Sequence, residues 1–216
     1  RHGAAALNAY PTSAVALATA ARKAGIELDG LVVRMVGEPV TAAKAAAVRR
    51  SGARPLNAYA FAQLGVAGTS CPSCADDEVH LLEHEAAVIL RRRARPDGEL
   101  VDALAWTTLA TDCRLVLLNT ENDDSGEIDR APCGCLLGRM GMQSRLRAVR
   151  GLTKSVASGV TVPGDILQRL VDDVLPRTVA GEPGQWQLVE RQDAGRTIVE
   201  LRLDPAATGA VDEAEV

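Results

Sequence analysis

The sequence predicts an α/β fold in which a large domain with a mixed sheet is followed by part of a small α+β domain. Helix-forming and strand-forming stretches alternate over residues 14–61, which is typical of a largely parallel sheet. Shorter strand patterns with tight turns begin at residue 97, and a helix and a hairpin are predicted after Gly151. We therefore expect a large domain at residues 1–149 and a small domain at residues 150–216.

The opening stretch alternates between two alanine-rich segments and two apolar runs. The alanine-rich segments follow Thr or Ser residues that can cap a helix, and they predict helices at residues 14–23 and 42–50. The apolar runs predict strands at residues 31–36 and 56–61. In such sheets ligands bind beyond the carboxyl ends of the strands. The segments that follow these two strands should therefore face one crevice.

The second half of the chain predicts antiparallel strands. The predicted elements are strands at residues 100–109 and 114–118, an acidic loop at residues 120–129, a helix at residues 163–175 stopped by Pro176, and a hairpin of residues 185–190 and 197–203. The helix and the hairpin together predict the small α+β domain.

Residues 76–95 fit two different structures. Acidic residues at the start of the segment and arginines at its end favour a helix, whereas its apolar runs also suit two strands. The segment contains His80-Leu81-Leu82-Glu83-His84, a pattern in which two histidines on one helical turn bind a catalytic zinc and the glutamate acts as general base. A zinc metallohydrolase is therefore an alternative function, and it requires the helix.

Composition limits the functional classes. The 216 residues are 47% hydrophobic and 24% charged, as in a soluble globular protein. A formal net charge of −4 gives no basis for nucleic-acid binding, and no apolar run approaches the roughly 20 residues that span a bilayer. Five cysteines, four of them in close pairs, suit a reducing cytoplasm and a metal better than a disulfide framework.

The paired cysteines predict a metal site. Cys71 and Cys74 form a Cys-x-x-Cys pair, and Cys133 and Cys135 form a Cys-x-Cys pair, so that four thiolates are available for a closed tetrahedral zinc. His80 is a fifth candidate ligand. Such a site would be structural, because all its positions would be filled by the protein. The alternative is a set of buried free thiols, since cysteine is among the most buried residue types.

Four segments, in this order, carry a resemblance to a known family. They are Leu31 to Val40 with its Gly37-Glu38-Pro39 turn, residues 59–63, the acidic stretch up to Asp124, and residues 131–151. The chain resembles the adenylate-forming superfamily of acyl- and aryl-CoA ligases, most of all its phenylacetate–CoA ligase-like branch, which includes coenzyme F390 synthetase-like proteins. The resemblance implies a partial adenylation domain with a metal clip, an incomplete mobile C-terminal domain, and strands rather than a helix at residues 76–95.

The resemblance also implies roles for individual residues. Gly37, Glu38 and Pro39 match the turn that packs on adenine, Tyr59 the aromatic residue that stacks on the base, Asp124 the carboxylate that binds the ribose hydroxyls, Arg150 the arginine that opens the hinge, and His80 a histidine that joins cysteines around zinc. The implied cofactors are ATP or AMP with Mg²⁺, CoA, and structural zinc.

The implied activity is ATP-dependent formation of an acyl-AMP followed by a CoA thioester. Its partners would be a small carboxylic acid and a nucleotide, with no nucleic acid and no membrane, and a homodimer is a candidate assembly. Two departures argue against full activity: Ala62 and Gln63 stand where the family has a phosphate-contacting hydroxyl and a Mg²⁺-binding glutamate. We expect either part of a longer ligase or a non-catalytic, zinc-stabilised homologue.

Overall fold

The computed structural model describes residues 5–95, 98–113, 115–152, 166, 170, 174–178, 185–193 and 196–204. The chain divides into two compact units, Arg1–Leu152 and Thr153–Val216. The described elements are β1 (Ala5–Ala9), α1 (Pro11–Lys23), β2 (Leu31–Val36), α2 (Ala42–Arg49), β3 (Arg54–Phe61), β4 (Gly65–Thr69), β5 (Val79–Leu81), β6 (Ala86–Ala94), β7 (Leu100–Thr108), β8 (Thr120–Arg130), α3 (Leu136–Arg139), β9 (Ser144–Gly151), α4 (Leu175–Thr178), β10 (Trp186–Asp193) and β11 (Arg196–Leu203).

The first unit is built on one mixed nine-stranded sheet. The strand order is β1-β2-β3-β4-β5-β9-β8-β7-β6. The first three strands are parallel, and every later neighbour is antiparallel. The predicted α/β fold with a mixed sheet is therefore confirmed.

Both long helices pack on the parallel part of the sheet. Small side chains of α1 and α2 form one core with Val33 and Met35 of β2, which are 1% and 0% exposed. Pro11 occupies the first turn of α1, where its missing N–H costs nothing, and the Thr41 hydroxyl accepts a hydrogen bond from Lys44 N at 3.4 Å at the start of α2. The two predicted helices and the two predicted strands of this region are confirmed.

A second core shows that the sheet curls. The Tyr59 and Phe61 rings of β3 lie 5.8 and 5.2 Å from the Trp106 ring of β7, centroid to centroid. Four strands separate β3 from β7 in the strand order, so only a curled sheet can bring these rings together. Leu146 of β9, which is fully buried, belongs to the same core.

Two predictions in the antiparallel half are wrong. The acidic stretch predicted as a loop is the strand β8, and the predicted strand at residues 114–118 is absent from residues 115–118, while Arg114 lies outside the described residues. The β8 carboxylates have cationic partners across the sheet, because Arg93 of β6 binds Glu121 at 2.8 Å and Arg147 of β9 binds Glu127 at 3.0 Å. An acidic strand is therefore tolerated here.

The helix considered for residues 76–95 is also wrong. The segment forms β5 and β6, joined by a turn in which Glu85 N donates to Leu82 O at 2.8 Å. The strands implied by the family resemblance are the ones observed.

The second unit contains the two predicted antiparallel strands, in which Trp186 of β10 pairs with Leu203 of β11. Most of the helix predicted at residues 163–175 lies outside the described residues. The described helix α4 begins at Leu175 and has Pro176 in its first turn. Among the described residues, no helix has both the length and the apolar character that a membrane crossing requires.

Candidate functional site

Four side chains from three chain segments meet in the first unit. The ligand atoms of Cys71, His80, Cys133 and Cys135 all lie within 4.8 Å of one another. Cys71 Sγ is 3.8 Å from Cys133 Sγ, and Cys135 Sγ is 3.5 Å from His80 Nε2. In a tetrahedral zinc site with Zn–S of about 2.3 Å and Zn–N of about 2.05 Å, the expected separations are about 3.8 Å and about 3.6 Å. The donor set therefore fits a four-coordinate zinc.

Neighbouring strands place these four ligands. Cys71 follows β4, His80 lies on β5, and Cys133 and Cys135 lie in the connection between β8 and β9. Because β5 pairs with both β4 and β9, the three segments converge at one end of the sheet. Gly138 N donates to Cys135 Sγ at 3.3 Å, which fixes the start of α3 against the ligand.

The orientation of His80 is set by a distant carbonyl. The side chain is 0% exposed, and Nδ1 lies 2.8 Å from Met142 O. A carbonyl can only accept, so Nδ1 carries the proton and the lone pair of Nε2 is available to a metal. Glu83 holds the chain beside Met142 in place, because its carboxylate accepts from Ser144 Oγ at 2.6 Å and from Gln143 N at 3.0 Å.

Hydrogen bonding prepares Cys71 to bind a metal. Burial alone would raise the pKa of the Cys71 thiol, but hydrogen bonds from the Ser73 backbone and from neighbouring thiols outweigh it and lower the pKa to about 6. Cys74 behaves differently, because burial raises the pKa of its thiol to about 12. Cys74 Sγ lies 3.5 Å from Cys71 Sγ but outside the group of four. The structure thus gathers four of the five predicted ligands.

The alternative metallohydrolase site is not formed. His80 is buried on β5, whereas the His84 side chain is 59% exposed and lies 3.3 Å from Glu85 Oε1. Glu83, the presumed general base of that pattern, is bound to Ser144. The pattern needs a helical turn to bring both histidines to one metal, and this segment is a strand and a turn. The structure therefore gives no support to the hydrolase hypothesis.

The predicted adenine turn lies at the carboxyl end of β2. Val36 of β2 pairs with Ala58 of β3, so Gly37 and Tyr59 come next in the chain, both toward the carboxyl-terminal ends of these two strands. Gly37 has a φ of +89°, and a Cβ on it would lie 2.6 Å from the Tyr10 ring, so only glycine suits this position.

The Glu38 carboxylate is already engaged. It accepts from Thr12 N at 3.1 Å and from Thr12 Oγ1 at 2.8 Å, and the next carbonyl, Pro39 O, accepts from Lys44 Nζ at 3.3 Å. These bonds tie the turn to the starts of α1 and α2. Glu38 therefore has a bracing role whatever else the turn contacts.

Tyr59 and Asp124 meet directly. Tyr59 Oη donates to Asp124 Oδ2 at 2.6 Å, although 65 residues separate them. Asn122 Nδ2 donates to both groups, at 2.6 and 2.8 Å, and its Oδ1 accepts from Trp106 Nε1 at 3.2 Å. Burial, followed by the negative charge of Asp124, raises the pKa of Tyr59 far above its ordinary value. Burial likewise raises the pKa of Asp124, although hydrogen bonds from Tyr59 and Asn122 oppose it.

Arg150 lies beside this network through its backbone. Its Cα pairs with Ser125 across β8 and β9, and its carbonyl accepts from Ser125 Oγ at 3.2 Å. The guanidinium donates to Val149 O at 2.7 Å. Ala62 and Gln63 are exposed in the turn after β3, where they present no carboxylate.

Sequence reasoning missed several residues that hold these two sites. Asn122 and Trp106 were not singled out, and neither was the Met142 carbonyl nor the role of Glu83 beside it. Asn122 lies two residues before Asp124, a spacing that puts both on one face of a strand. That signal could have found Asn122, but only if residues 120–130 had been predicted as a strand.

No protein-family model matches the chain, and no curated protein matches it either. Solved structures do. A variant of E. coli MenE with bound OSB-AMS matches with a TM-score of 0.55 and 12% identity, covering 99% of this chain and 43% of that chain. The fold of this chain is similar to that of part of MenE. Wild-type E. coli MenE with an m-phenylether-linked analogue of OSB-AMS matches with a TM-score of 0.50 and 12% identity, covering 100% of this chain and 45% of that MenE chain.

A further match is an acyl-CoA synthetase (AMP-forming)/AMP-acid ligase II-like protein from Dyadobacter fermentans, with a TM-score of 0.45, 15% identity, and coverage of 99% of this chain and 53% of that chain. The present chain spans less than half the length of either MenE chain. At this identity the likeness to MenE is a likeness of fold.

Proposed function

We propose that this chain is part of an AMP-forming acyl- or aryl-CoA ligase, in which ATP converts a carboxylate to an acyl-AMP and the CoA thiol then accepts the acyl group. The observation that carries the proposal is the 2.6 Å contact between Tyr59 and Asp124. These are the two residues that the resemblance assigns to the base and the ribose, and they meet at the sheet edge that also carries Gly37. The fold similarity to part of MenE supports the proposed ligase function.

In this proposal the Tyr59 ring packs on adenine and the Asp124 carboxylate accepts hydrogen bonds from the two ribose hydroxyls. The ring is held by stacking on Trp106, and the carboxylate is aimed by Asn122. Arg150 lies at the end of the first unit as the hinge residue. We place the protein in the phenylacetate–CoA ligase-like branch because of the Cys-Gly-Cys segment at residues 133–135.

The same proposal assigns structural zinc to Cys71, His80, Cys133 and Cys135. Zinc bound by four protein ligands has no open position, so its contribution would be a cross-link rather than catalysis. The cross-link would join three parts of the chain: the segment that follows β4, the strand β5, and the connection between β8 and β9. All five cysteines are free, which agrees with our further proposal of a cytoplasmic location. A homodimer remains the candidate assembly.

The experiment is titration calorimetry with AMP and with ATP on the wild-type chain, Asp124→Asn and Asp112→Asn. Asp124→Asn keeps an oxygen that can accept from Tyr59 and Asn122 but removes the charge that favours two ribose hydroxyls. We expect binding to weaken by about tenfold, the scale of one charge-assisted hydrogen bond. Asp112 is exposed, and its variant should bind as the wild type does. Absence of binding to the wild-type chain, or equal binding by all three, would contradict the nucleotide site.

A second candidate, the non-catalytic zinc-stabilised homologue, is favoured by Ala62 and Gln63. An alanine cannot hydrogen-bond a phosphate, and a neutral amide is a poor Mg²⁺ ligand. This candidate predicts AMP binding that does not depend on Mg²⁺ and no pyrophosphate exchange with any of a panel of carboxylic acids. Gain of Mg²⁺-dependent ATP binding in an Ala62→Ser, Gln63→Glu double variant would identify these positions as the lost elements.

A further inference from the structure

One further thiol, that of Cys74, lies beside the four-residue metal cluster without being part of it. Cys71, His80, Cys133 and Cys135 complete a four-ligand set, and Cys74 lies outside it. Cys74 is nevertheless in sulfur–sulfur contact with one ligand, because its Sγ lies 3.5 Å from Cys71 Sγ. The Cys71 N–H also donates to Cys74 Sγ at 3.3 Å, which holds the two side chains side by side. A spare thiol held against a ligand thiol is a place where oxidation can compete with metal binding.

A pocket gives small molecules access to this pair. The pocket has a volume of about 230 Å³, and its walls include Cys71, Cys74, Pro72, Arg49 and Asp76. None of the other three ligands lines it. A small oxidant can therefore approach the Cys71–Cys74 pair from a side that His80, Cys133 and Cys135 do not cover.

We propose that Cys74 is an oxidation site that forms a disulfide with Cys71 and thereby releases the zinc. The oxidant is hydrogen peroxide. One sulfur of the pair attacks the peroxide oxygen, so that a sulfenic acid forms and hydroxide leaves. The second sulfur then attacks the sulfenic sulfur and expels a second hydroxide. The two sulfurs lose two electrons, the Cys74 thiol gives up its proton, and the Zn–Cys71 bond is broken. The two hydroxides become two waters by taking up the Cys74 proton and one proton from solvent.

The geometry explains why metal loss should follow. Closing the pair from 3.5 Å to the roughly 2.05 Å of a disulfide takes the Cys71 lone pair away from the metal. Three donors remain, so the site is no longer the closed four-ligand arrangement that holds structural zinc. A thiol reductant would restore Cys71, and zinc could then bind again. The inference depends on the zinc site proposed above but not on nucleotide binding.

The test uses the purified, zinc-loaded chain and dilute hydrogen peroxide. Zinc release is followed with a chromogenic chelator, and the disulfide is located by mass spectrometry of proteolytic peptides. We expect the wild type to release zinc together with formation of a Cys71–Cys74 disulfide. Cys74→Ser should contain as much zinc as the wild type and release it about tenfold more slowly, because oxidation of the remaining thiols lacks the adjacent partner. Cys113→Ser, a change at the remaining cysteine outside the group of four, should match the wild type.

Each result decides the proposal. Equal release rates in the wild type and Cys74→Ser would overturn it, as would a peroxide-induced disulfide that excludes Cys74. Loss of zinc from Cys74→Ser before any oxidant is added would show that Cys74 is a ligand, and it would overturn the proposal as well. A wild-type chain that holds no zinc at all would overturn both this inference and the zinc site. Peptide mapping of the wild type provides the answer even where a variant fails to fold.

Discussion

Two opposing effects act on the ionisation of the Asp124 carboxyl group. It accepts hydrogen bonds from Tyr59 at 2.6 Å and from Asn122 at 2.8 Å, which favour the charged form. Burial disfavours that form more strongly, and the pKa of Asp124 is raised. A carboxylate that is costly to keep charged in the folded protein is typical of a binding position, because a ligand can donate the further hydrogen bonds that stabilise the charge.

This raised pKa predicts a pH dependence for the Asp124→Asn variant. A carboxyl whose pKa is higher in the folded state stabilises the protein below the unfolded pKa of about 3.9, and that contribution is lost as pH rises through the folded pKa. At pH 7 the wild type therefore lacks it, whereas a neutral asparagine does not ionise. We expect Asp124→Asn to have the higher melting temperature at pH 7 and the difference to shrink toward pH 4, measured by circular dichroism.

Asp124→Ala is the matched variant. It removes the acceptor altogether and leaves the Tyr59 hydroxyl and the Asn122 amide short of a partner, which costs about 1–3 kcal/mol. It should be less stable than the wild type at pH 7. If Asp124→Asn is also destabilised at pH 7, the buried charge is not costly, and the binding argument loses its basis.

The two histidines of residues 80–84 should differ completely in their effect on zinc. His80 is buried with Nε2 3.5 Å from Cys135 Sγ, and His84 is exposed. We expect His80→Ala to lose zinc and His84→Ala to keep it, measured as metal per chain by mass spectrometry. Zinc that depends on both histidines would restore the hydrolase hypothesis.

At the scale of elements, the local sequence was sufficient to predict those helices and strands whose formation depends on residues a few positions apart. Prediction placed α1, β2, α2 and β3 within three residues of their observed bounds, because capping residues, alanine content and β-branched runs act within a few positions. It gave no strand at β1 or β4. Their sequences, Ala-Ala-Leu-Asn-Ala and Gly-Val-Ala-Gly-Thr, have little strand propensity, and pairing with neighbouring strands is what orders them.

Strand β8 shows why the remaining elements could not be predicted. Its acidic residues resemble a solvated loop when the local sequence alone is considered. The compensating arginines lie 28 residues before Glu121, at Arg93, and 20 residues after Glu127, at Arg147. No window of ordinary length contains both members of such pairs. The same limit applied to Asn122, whose significance depended on β8 being a strand.

The short helix α3 offers a test of how the metal site is held. A Cβ on Gly138 would lie 2.0 Å from Cys133 O, so the carbonyl beside one ligand occupies the space a side chain would need. We expect Gly138→Ala to push the Cys133–Cys135 segment out of position, with zinc affinity reduced by about 10–100-fold, the range typical of changes beside metal ligands. Competition with a chelator of known affinity measures this.

Gly134→Ala is the control for that change. A Cβ on Gly134 has nothing within 4 Å, and the residue lies between the same two cysteines. It should bind zinc as the wild type does. Equal losses in both variants would mean that the segment needs backbone freedom rather than the close approach at Gly138.

At the scale of the whole molecule, the sequence identified the candidate ligands of the metal site but not which four of them come together. It named five candidate ligands, and the structure brings four of them together. The choice depends on the Met142 carbonyl, which lies 62 residues from His80 and orients its ring. Backbone carbonyls carry no signal in a sequence. For the same reason the Tyr59–Asp124 contact required the curl of the sheet, which no single strand reveals.

The cluster and the two-unit division together predict how the whole chain unfolds. All four ligands belong to the unit Arg1–Leu152, and the unit Thr153–Val216 contributes none of them. Zinc that binds only the folded first unit stabilises that unit by mass action, roughly 4 kcal/mol when free zinc is a thousand times its Kd. Scanning calorimetry should therefore show that a chelator lowers the melting temperature of one transition and leaves the other unchanged. Restored zinc should reverse the shift. A single transition that moves as a whole would show that the two units unfold together, and no shift at all would contradict the structural zinc.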